Sequence, residues 1–317
     1  MSENVAVHPK QSTTVRANRG RKSGASRAPR PLLYALRGAF AGLGSHAPEL
    51  AATLAERVFR TPPPYRPRPG EEHAVFFADV VPVRFGTRSL AVHTFGEGPT
   101  VLLAHGWGGR GTQLRAFIDP LVRAGYRVAL FDGPGHDGEA RFSQSSLPEM
   151  AAALRAVIGA LGARAIIAHS MGAAAVVLAL ERVSADVRLV FVAPPSRLAD
   201  ATRSFGRALA LSSRVITSLE RRIEERFLRP LSDYDVLRAA RAQTAPLLVV
   251  HDREDREVPV SSGRAIAQAW PGAELVLTEG LGHVRILRDA AVVERAVEFI
   301  AREPRVLERT EHATSLA

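Results

Sequence analysis

Five short apolar runs, each followed by a helical pattern, constrain this chain more than any other feature. They are R-V-A-L-F-D (127–132), A-I-I-A-H-S (165–170), V-R-L-V-F-V-A (187–193), P-L-L-V-V-H-D (246–252) and E-L-V-L-T-E (274–279). Runs that are apolar at consecutive rather than alternate positions suit strands buried on both faces, and the helices between them supply the cover. The spacing therefore predicts an α/β fold on a mostly parallel sheet. Upstream, A-V-F-F-A-D-V-V-P-V (from residue 74), S-L-A-V-H-T-F and, after the turn G-E-G-P, T-V-L-L-A-H predict an opening β-meander.

One interval breaks the rhythm. About fifty residues separate the strands ending near Pro194 and beginning near Ala245, more than a one-helix crossover needs. Their helical, charged sequence predicts a cap over the carboxyl edge of the sheet, where open α/β sheets bind ligands. Ahead of the sheet, residues 31–60 carry Leu33, Leu36, Phe40 and Leu43, then Leu50, Leu54, Val58 and Phe59, at helical spacing. This reads as a helical segment packed on the catalytic domain, with a lipid-surface helix as the alternative. T-P-P-P-Y-R-P-R-P-G (61–70) predicts a stiff, extended linker.

The net charge of +10 raises the question of a polyanion partner, and its distribution answers it. Residues 1–30 hold Lys10, Arg16, Arg19, Arg21, Lys22, Arg27 and Arg30 against Glu3 alone, a local +6. That segment, poor in large apolar residues, reads as a disordered basic tail, and nucleic acid is not expected as the partner. The absence of cysteine excludes disulfides, thiolate metal sites and a cysteine nucleophile, and fits a cytoplasmic location. The stretch Pro31–Gly44 is interrupted by Arg37 and lacks a cleavage signature, and no apolar run approaches the ~20 residues of a membrane span.

The chemistry centres on I-I-A-H-S-M-G-A-A-A, where an apolar strand ends at Ser170 and a helix of small residues starts at once. Ala168 and Gly172, two positions either side, are small, as a tight strand-to-helix turn requires. Such a nucleophile elbow exposes the hydroxyl at a helix amino terminus, where peptide N–H groups favour developing negative charge. A second loop, H-G-W-G-G-R-G (105–111), also joins a strand to a helix, and no Lys-Ser/Thr pair follows that would mark it as phosphate-binding. A third reads D-G-P-G-H-D-G from Asp132. A fourth, V-V-H-D-R-E-D-R-E-V-P, offers the carboxylates Asp252, Glu254 and Asp255. A fifth, G-L-G-H-V, places His283 in a loop before the closing helix.

These five motifs, taken in chain order over residues 74–302, resemble the α/β-hydrolase fold family of serine hydrolases. The resemblance implies an α/β-hydrolase sheet, mostly parallel and flanked by helices, with the cap inserted before the next-to-last strand. Its chain order of nucleophile, acid, base falls on Ser170, Asp255 and His283. Asp252, where the family pattern has glycine, stands as the alternative acid. The family's oxyanion-hole donors fall on the backbone N–H groups of Trp107 and Met171, while His105, Asp132 and His136 fall on scaffold positions. The implied reaction is cleavage of a carboxylic ester of a small-molecule acyl substrate without metal or cofactor. Thioesterase, lipase, amidase or peptidase chemistry, or a non-catalytic binding protein of the same fold, are the alternatives.

The organisation expected is a disordered tail (1–30), a helical segment and linker (31–70), a core (71–195 and 246–303), a cap (196–245) and a C-terminal tail (304–317). The cap arginines Arg203, Arg207, Arg214, Arg221 and Arg222 are expected on a solvated face, the alternative being attraction of an anionic substrate. Oligomeric state is not legible.

Overall fold

A computed structural model describes residues 13–14, 30–71, 73–138, 143–181 and 187–302. The remainder of the expected N-terminal tail and the C-terminal tail lie outside the described residues. Within them, strands β2 (Asp79–Phe85), β3 (Arg88–Phe95), β4 (Thr100–Ala104), β5 (Arg127–Leu130), β6 (Ala165–His169), β7 (Arg188–Val192), β8 (Leu247–Asp252) and β9 (Glu274–Thr278) form one sheet. The short β1 (Thr13–Thr14) adds parallel to β9, giving the order β1-β9-β8-β7-β6-β4-β5-β3-β2. The pairs β2–β3 and β3–β5 are antiparallel and every other pair is parallel. β4, β6 and β8 are buried at every position, which is why their sequences show no alternation. Pro82 lies in β2, at the sheet edge, the setting in which strands tolerate a missing donor.

Two layers of side chains cover the sheet. Leu102, Ala104, Ile166 and Ala168 enter one core with helices α4 (Leu147–Leu161) and α5 (Met171–Leu180). Val101, Leu103, Ile167 and Val190 enter the other with α3 (Ile118–Arg123) and α11 (Ala290–Ala301). Between β7 and β8 the interval carries α6 (Leu198–Leu209), α7 (Ser213–Phe227) and α8 (Val236–Ala240).

Three regions depart from the sequence reading. Strand structure begins at Asp79, not at residue 74; successive i→i+3 turns from Glu71 to Ala78 occupy the earlier part and leave Phe76 and Phe77 exposed. The linker is extended as expected, yet it is fastened. The Tyr65 hydroxyl and the Arg68 N–H both bond the buried Glu71 carboxylate, which Arg115 also reaches at 3.0 Å.

The third departure concerns α1 (Arg30–His46) and α2 (Pro48–Phe59). α2 packs on cap helix α7 rather than on the sheet, and it does so through Ala51, Ala52 and Ala55, whose small side chains let the two helices approach closely. Leu50, Leu54 and Val58 face outward. Among the cap arginines Arg203, Arg207, Arg214 and Arg221 are exposed, as on the solvated face expected, and Arg222 is half-buried. Arg222 and Arg226 bind Glu56 of α2, a buried carboxylate, and Arg221 pairs with Glu49 at 3.1 Å and Glu225 at 2.8 Å. Arg203 pairs with Asp200, and Arg207 donates to Ser204.

Candidate active site

The elements that meet at the carboxyl edge of the sheet are the loops after β4, β6, β8 and β9. Ser170 sits between β6 and α5 with φ 50° and ψ −127°, a conformation that a non-glycine residue adopts only when its surroundings impose it. Its N–H donates to the Val192 carbonyl at 2.9 Å, and its own carbonyl receives the Ala173 N–H at 3.0 Å, so both sides of the turn are pinned. A Cβ at Gly172 would lie 2.5 Å from the His105 carbonyl oxygen, and one at Gly106 would lie 2.8 Å from Ser170 Cβ. Helix, elbow and the loop after β4 therefore touch through glycine.

The three side chains named from the sequence converge. Ser170 Oγ lies 3.0 Å from His283 Nε2, and His283 Nδ1 lies 2.7 Å from Asp255 Oδ2. Asp255 Oδ1 accepts the backbone N–H groups of Glu257 (2.8 Å) and Val258 (2.9 Å). Burial works to raise the Asp255 pKa, but hydrogen bonds from His251 and His283 outweigh it and hold the carboxyl well below the ordinary carboxylate range. An ionised Asp255 only accepts, so His283 Nδ1 carries the proton and Nε2 is left to accept from the serine hydroxyl.

Asp252 does not join this chain. It is completely buried at the end of β8, where Oδ1 accepts the Glu254 N–H and Oδ2 accepts the Thr278 hydroxyl (2.7 Å) and the Leu281 N–H (3.0 Å). It thus ties the loop bearing Asp255 to the loop bearing His283. Glu254 receives no role in the cluster.

The other histidines are fixed by backbone groups. His105 Nε2 accepts the Gly133 N–H at 2.8 Å and its Nδ1 lies 2.8 Å from the Gly106 carbonyl. His136 Nε2 accepts the Gly108 N–H at 3.0 Å. Burial, the largest cause in each, pushes both rings down to about 4, so they are neutral braces of the glycine loop. Asp132 accepts the Gly111 N–H at 2.9 Å in the same loop.

Two further histidines, His169 and His251, were passed over in the sequence because both end apolar strands and resemble ordinary strand residues. His169 Nε2 meets the His283 carbonyl oxygen at 2.9 Å, and burial pushes its ring down to about 3, which fixes it as a neutral donor. His251 Nε2 lies 3.0 Å from the Val258 carbonyl oxygen and 3.5 Å from Asp255 Oδ2.

Trp107 and Met171 flank Ser170 on the wall of a cavity of about 710 Å³. As the first residue of α5, Met171 has a peptide N–H without an intrahelical acceptor. The roof of the cavity comes from Phe205 and Phe227 of the cap and from Val58 and Phe59 at the end of α2, with Pro63 of the linker packed on Gly108. Phe59 and Phe205 meet edge to face, 5.2 Å between centroids. Among the described residues no group of His, Asp and Glu has an arrangement that could hold a metal ion. No helix among them is long and apolar enough to cross a membrane.

Comparison with known proteins agrees with this architecture. The model of the alpha/beta hydrolase family matches residues 101–296, more than half of the chain. Two curated relatives are each named pimeloyl-[acyl-carrier protein] methyl ester esterase. The one from Photobacterium profundum is 30% identical over 161 residues, half of this chain and 60% of that protein. The one from Aeromonas hydrophila is 38% identical over 71 residues, 21% of this chain and 28% of that protein. The chain thus matches less than two thirds of the length of either. An esterase from Pyrococcus furiosus has the same fold, with a TM-score of 0.56, 21% identity and coverage of 75% of this chain and 95% of that one. So does a bromoperoxidase from Bacillus anthracis, at 0.53 and 18%, covering 71% of this chain and all of that one. The chain is a member of the alpha/beta hydrolase family.

Proposed function

We propose that this protein is a serine esterase that cleaves a carboxylic ester through Ser170, His283 and Asp255. The observation that carries the reading is the continuous line of hydrogen bonds from the Ser170 hydroxyl through both imidazole nitrogens to the Asp255 carboxylate, opening into a cavity with an apolar roof. The names of the curated relatives, both methyl ester esterases, support an ester over other acyl bonds.

In this reading His283 Nε2 takes the hydroxyl proton as Ser170 Oγ attacks the ester carbonyl carbon. Asp255, held ionised, stabilises the imidazolium that forms. The carbonyl oxygen becomes an oxyanion between the N–H groups of Trp107 and Met171, aided by the amino end of α5. Collapse expels the alcohol with the proton from His283 and leaves an acyl-Ser170 ester. Water, deprotonated by the same imidazole, then releases the carboxylic acid. The carbonyl of His283 is anchored by His169, so the imidazole keeps its place through both half-reactions.

Labelling with a fluorophosphonate followed by peptide mapping tests the nucleophile directly, and modification is expected at Ser170. The Ser170→Ala variant should keep the fold and lose activity on a short aryl ester by about 10⁴ to 10⁶. Retention of most activity, or labelling elsewhere, overturns the assignment. A matched panel of ester, thioester and amide substrates then separates esterase from thioesterase and amidase chemistry.

A further inference from the structure

Of the nine large hydrophobic side chains that stand exposed among the described residues, five lie on the two N-terminal helices: Leu33, Tyr34, Leu50, Leu54 and Val58. They are concentrated on 29 residues that the family match does not include. On α2, Leu50, Leu54 and Val58 recur every four residues and form one stripe. The alanine face of α2 is already committed to α7, and among the described residues the stripe stands exposed. α1 behaves similarly. Leu36, Phe40 and Leu43 turn inward, and between Leu33 and Gly42 the one charged residue is Arg37, which is half-buried. A stretch of nearly uncharged, partly apolar helix surface on a chain with 23% charged residues marks a site of association.

Two further observations say what it associates with. First, the stripe leads to the cavity: Val58, its last member, is 40% exposed and also lines the cavity wall beside Phe59. Second, the residues leading into α1 carry six Lys and Arg against one Glu, and α1 itself opens on Arg30. An apolar face joined to a strongly basic segment matches a bilayer with anionic headgroups, which takes up the apolar side chains and attracts the cations together. An acidic protein partner fits less well, because the cap arginines beside this face, Arg221, Arg222 and Arg226, are already engaged by Glu49, Glu56 and Glu225.

We propose that the α1–α2 hairpin docks on an anionic lipid surface and that the cavity takes its ester from that surface past Val58. The docking stands on its own geometry, and only the identity of what enters the cavity rests on the esterase reading.

Full-length protein is sedimented with vesicles of phosphatidylcholine alone and of phosphatidylcholine mixed with phosphatidylglycerol, at low and high salt. Binding is expected to the anionic vesicles and to weaken with salt. The variant Leu50→Asp/Leu54→Asp should reduce bound protein by about tenfold or more, since both side chains would lose their apolar environment. Arg19→Ser/Arg21→Ser/Lys22→Ser should weaken binding and remove much of its salt dependence. Both variants should hydrolyse a short, water-soluble ester at the wild-type rate, which also shows that they are folded. Failure of the esterase reading appears separately, as no turnover by any of the proteins. The docking proposal falls if wild type ignores anionic vesicles, or if it binds and the leucine variant binds equally. It also falls if the wild type elutes as a dimer that the leucine variant dissociates while vesicles are not bound, for then a second copy covers the stripe. Retention on an immobilised acidic acyl carrier protein, with no vesicle binding, overturns it equally.

Discussion

The floor of the cavity is assembled from strand ends and held by hydrogen bonds, whereas its roof is assembled from helices distant in sequence and held by apolar contact with ion pairs at the rim. On the floor, Ser170, Asp255 and His283 each sit within a few residues of a strand, and backbone groups fix their neighbours. In the roof, Phe59 meets Phe205, and Glu56 meets Arg222 and Arg226 across some 170 residues of chain. Rigid placement is what proton transfer demands, and it comes most cheaply from a sheet. Pocket shape can vary without disturbing that placement only if it is built elsewhere. The two parts should therefore fail differently when perturbed.

The sharpest test lies within the floor, between two carboxylates three residues apart. Asp255→Asn reverses the donor at His283 Nδ1, and turnover of the folded fraction should fall by about 10⁴; some stability is lost as well, because the amide cannot replace an ionised acceptor of several donors. Asp252→Asn should spare the rate and cost stability alone. Three donors converge on a wholly buried group, and the amide cannot accept them all, so stability should drop by about 2–4 kcal/mol while the folded fraction retains most of its rate. Paired thermal melts and initial rates distinguish them. An inactive Asp252 variant beside an active Asp255 variant would exchange the two roles.

Next in size is the contact between the elbow and the loop after β4, which in the esterase reading carries an oxyanion donor. A methyl group at position 172 would press on the His105 carbonyl and push the loop carrying Trp107 away from α5. Gly172→Ala should cost about 10² to 10³ in kcat with a smaller change in KM, because the donors serve the transition state more than the ground state. Equal losses in kcat on substrates of any size would place the damage in the floor. Losses confined to long acyl chains would place it in the roof.

The neutral histidines give the floor a pH signature. The unfolded chain takes up protons on these rings near pH 6.5, whereas the folded state refuses them at His105 and His136 until about pH 4 and at His169 until about pH 3. The unfolded state therefore binds more protons in between, and stability falls as pH is lowered through that window. Melts from about pH 7 to about pH 4 should show the decline, and His136→Gln should make it shallower, since glutamine removes one titrating ring and can still accept from the Gly108 N–H. An unchanged slope would mean that the ring is already protonated in the folded protein.

Much of the floor was legible in the sequence because its chemistry follows strands that announce themselves. The apolar runs ending at Ser170 and Asp252, and the glycines before His283, locate the edge of the sheet without any knowledge of the fold. The resemblance put the acid on Asp255 with Asp252 as the alternative, but residue type alone does not separate two carboxylates three positions apart. What separates them is position: Asp252 is still in β8 beside Thr278, and Asp255 is past its end. The roof was hardly legible. Helical periodicity turned Leu50, Leu54 and Val58 inward on hydrophobicity alone, whereas the inward face is alanine because α7 comes too close for leucine. That proximity, and the choice of Glu56 as partner for two cap arginines, are tertiary facts that no local pattern encodes. The first residues of the expected meander failed for a related reason: A-V-F-F has strand composition, but among the described residues no strand pairs with it.

The smallest effect expected belongs to the roof, and it decides whether the N-terminal segment is part of the substrate site. Phe59 fills the space between α2 and α6, so Phe59→Ala enlarges the cavity without touching Ser170, Asp255 or His283. In the esterase reading, kcat/KM for a bulky acyl group should rise relative to a short one by about tenfold, the scale of a few methylenes in an apolar pocket. Fluorophosphonate labelling of Ser170 should proceed at nearly the wild-type rate. Phe205→Ala removes the ring's partner from the cap side and should shift preference in the same direction, with the double variant giving less than the sum because the two rings share one contact. A Phe59 variant with unaltered chain-length preference would detach α2 from specificity and leave its exposed stripe as the segment's sole function.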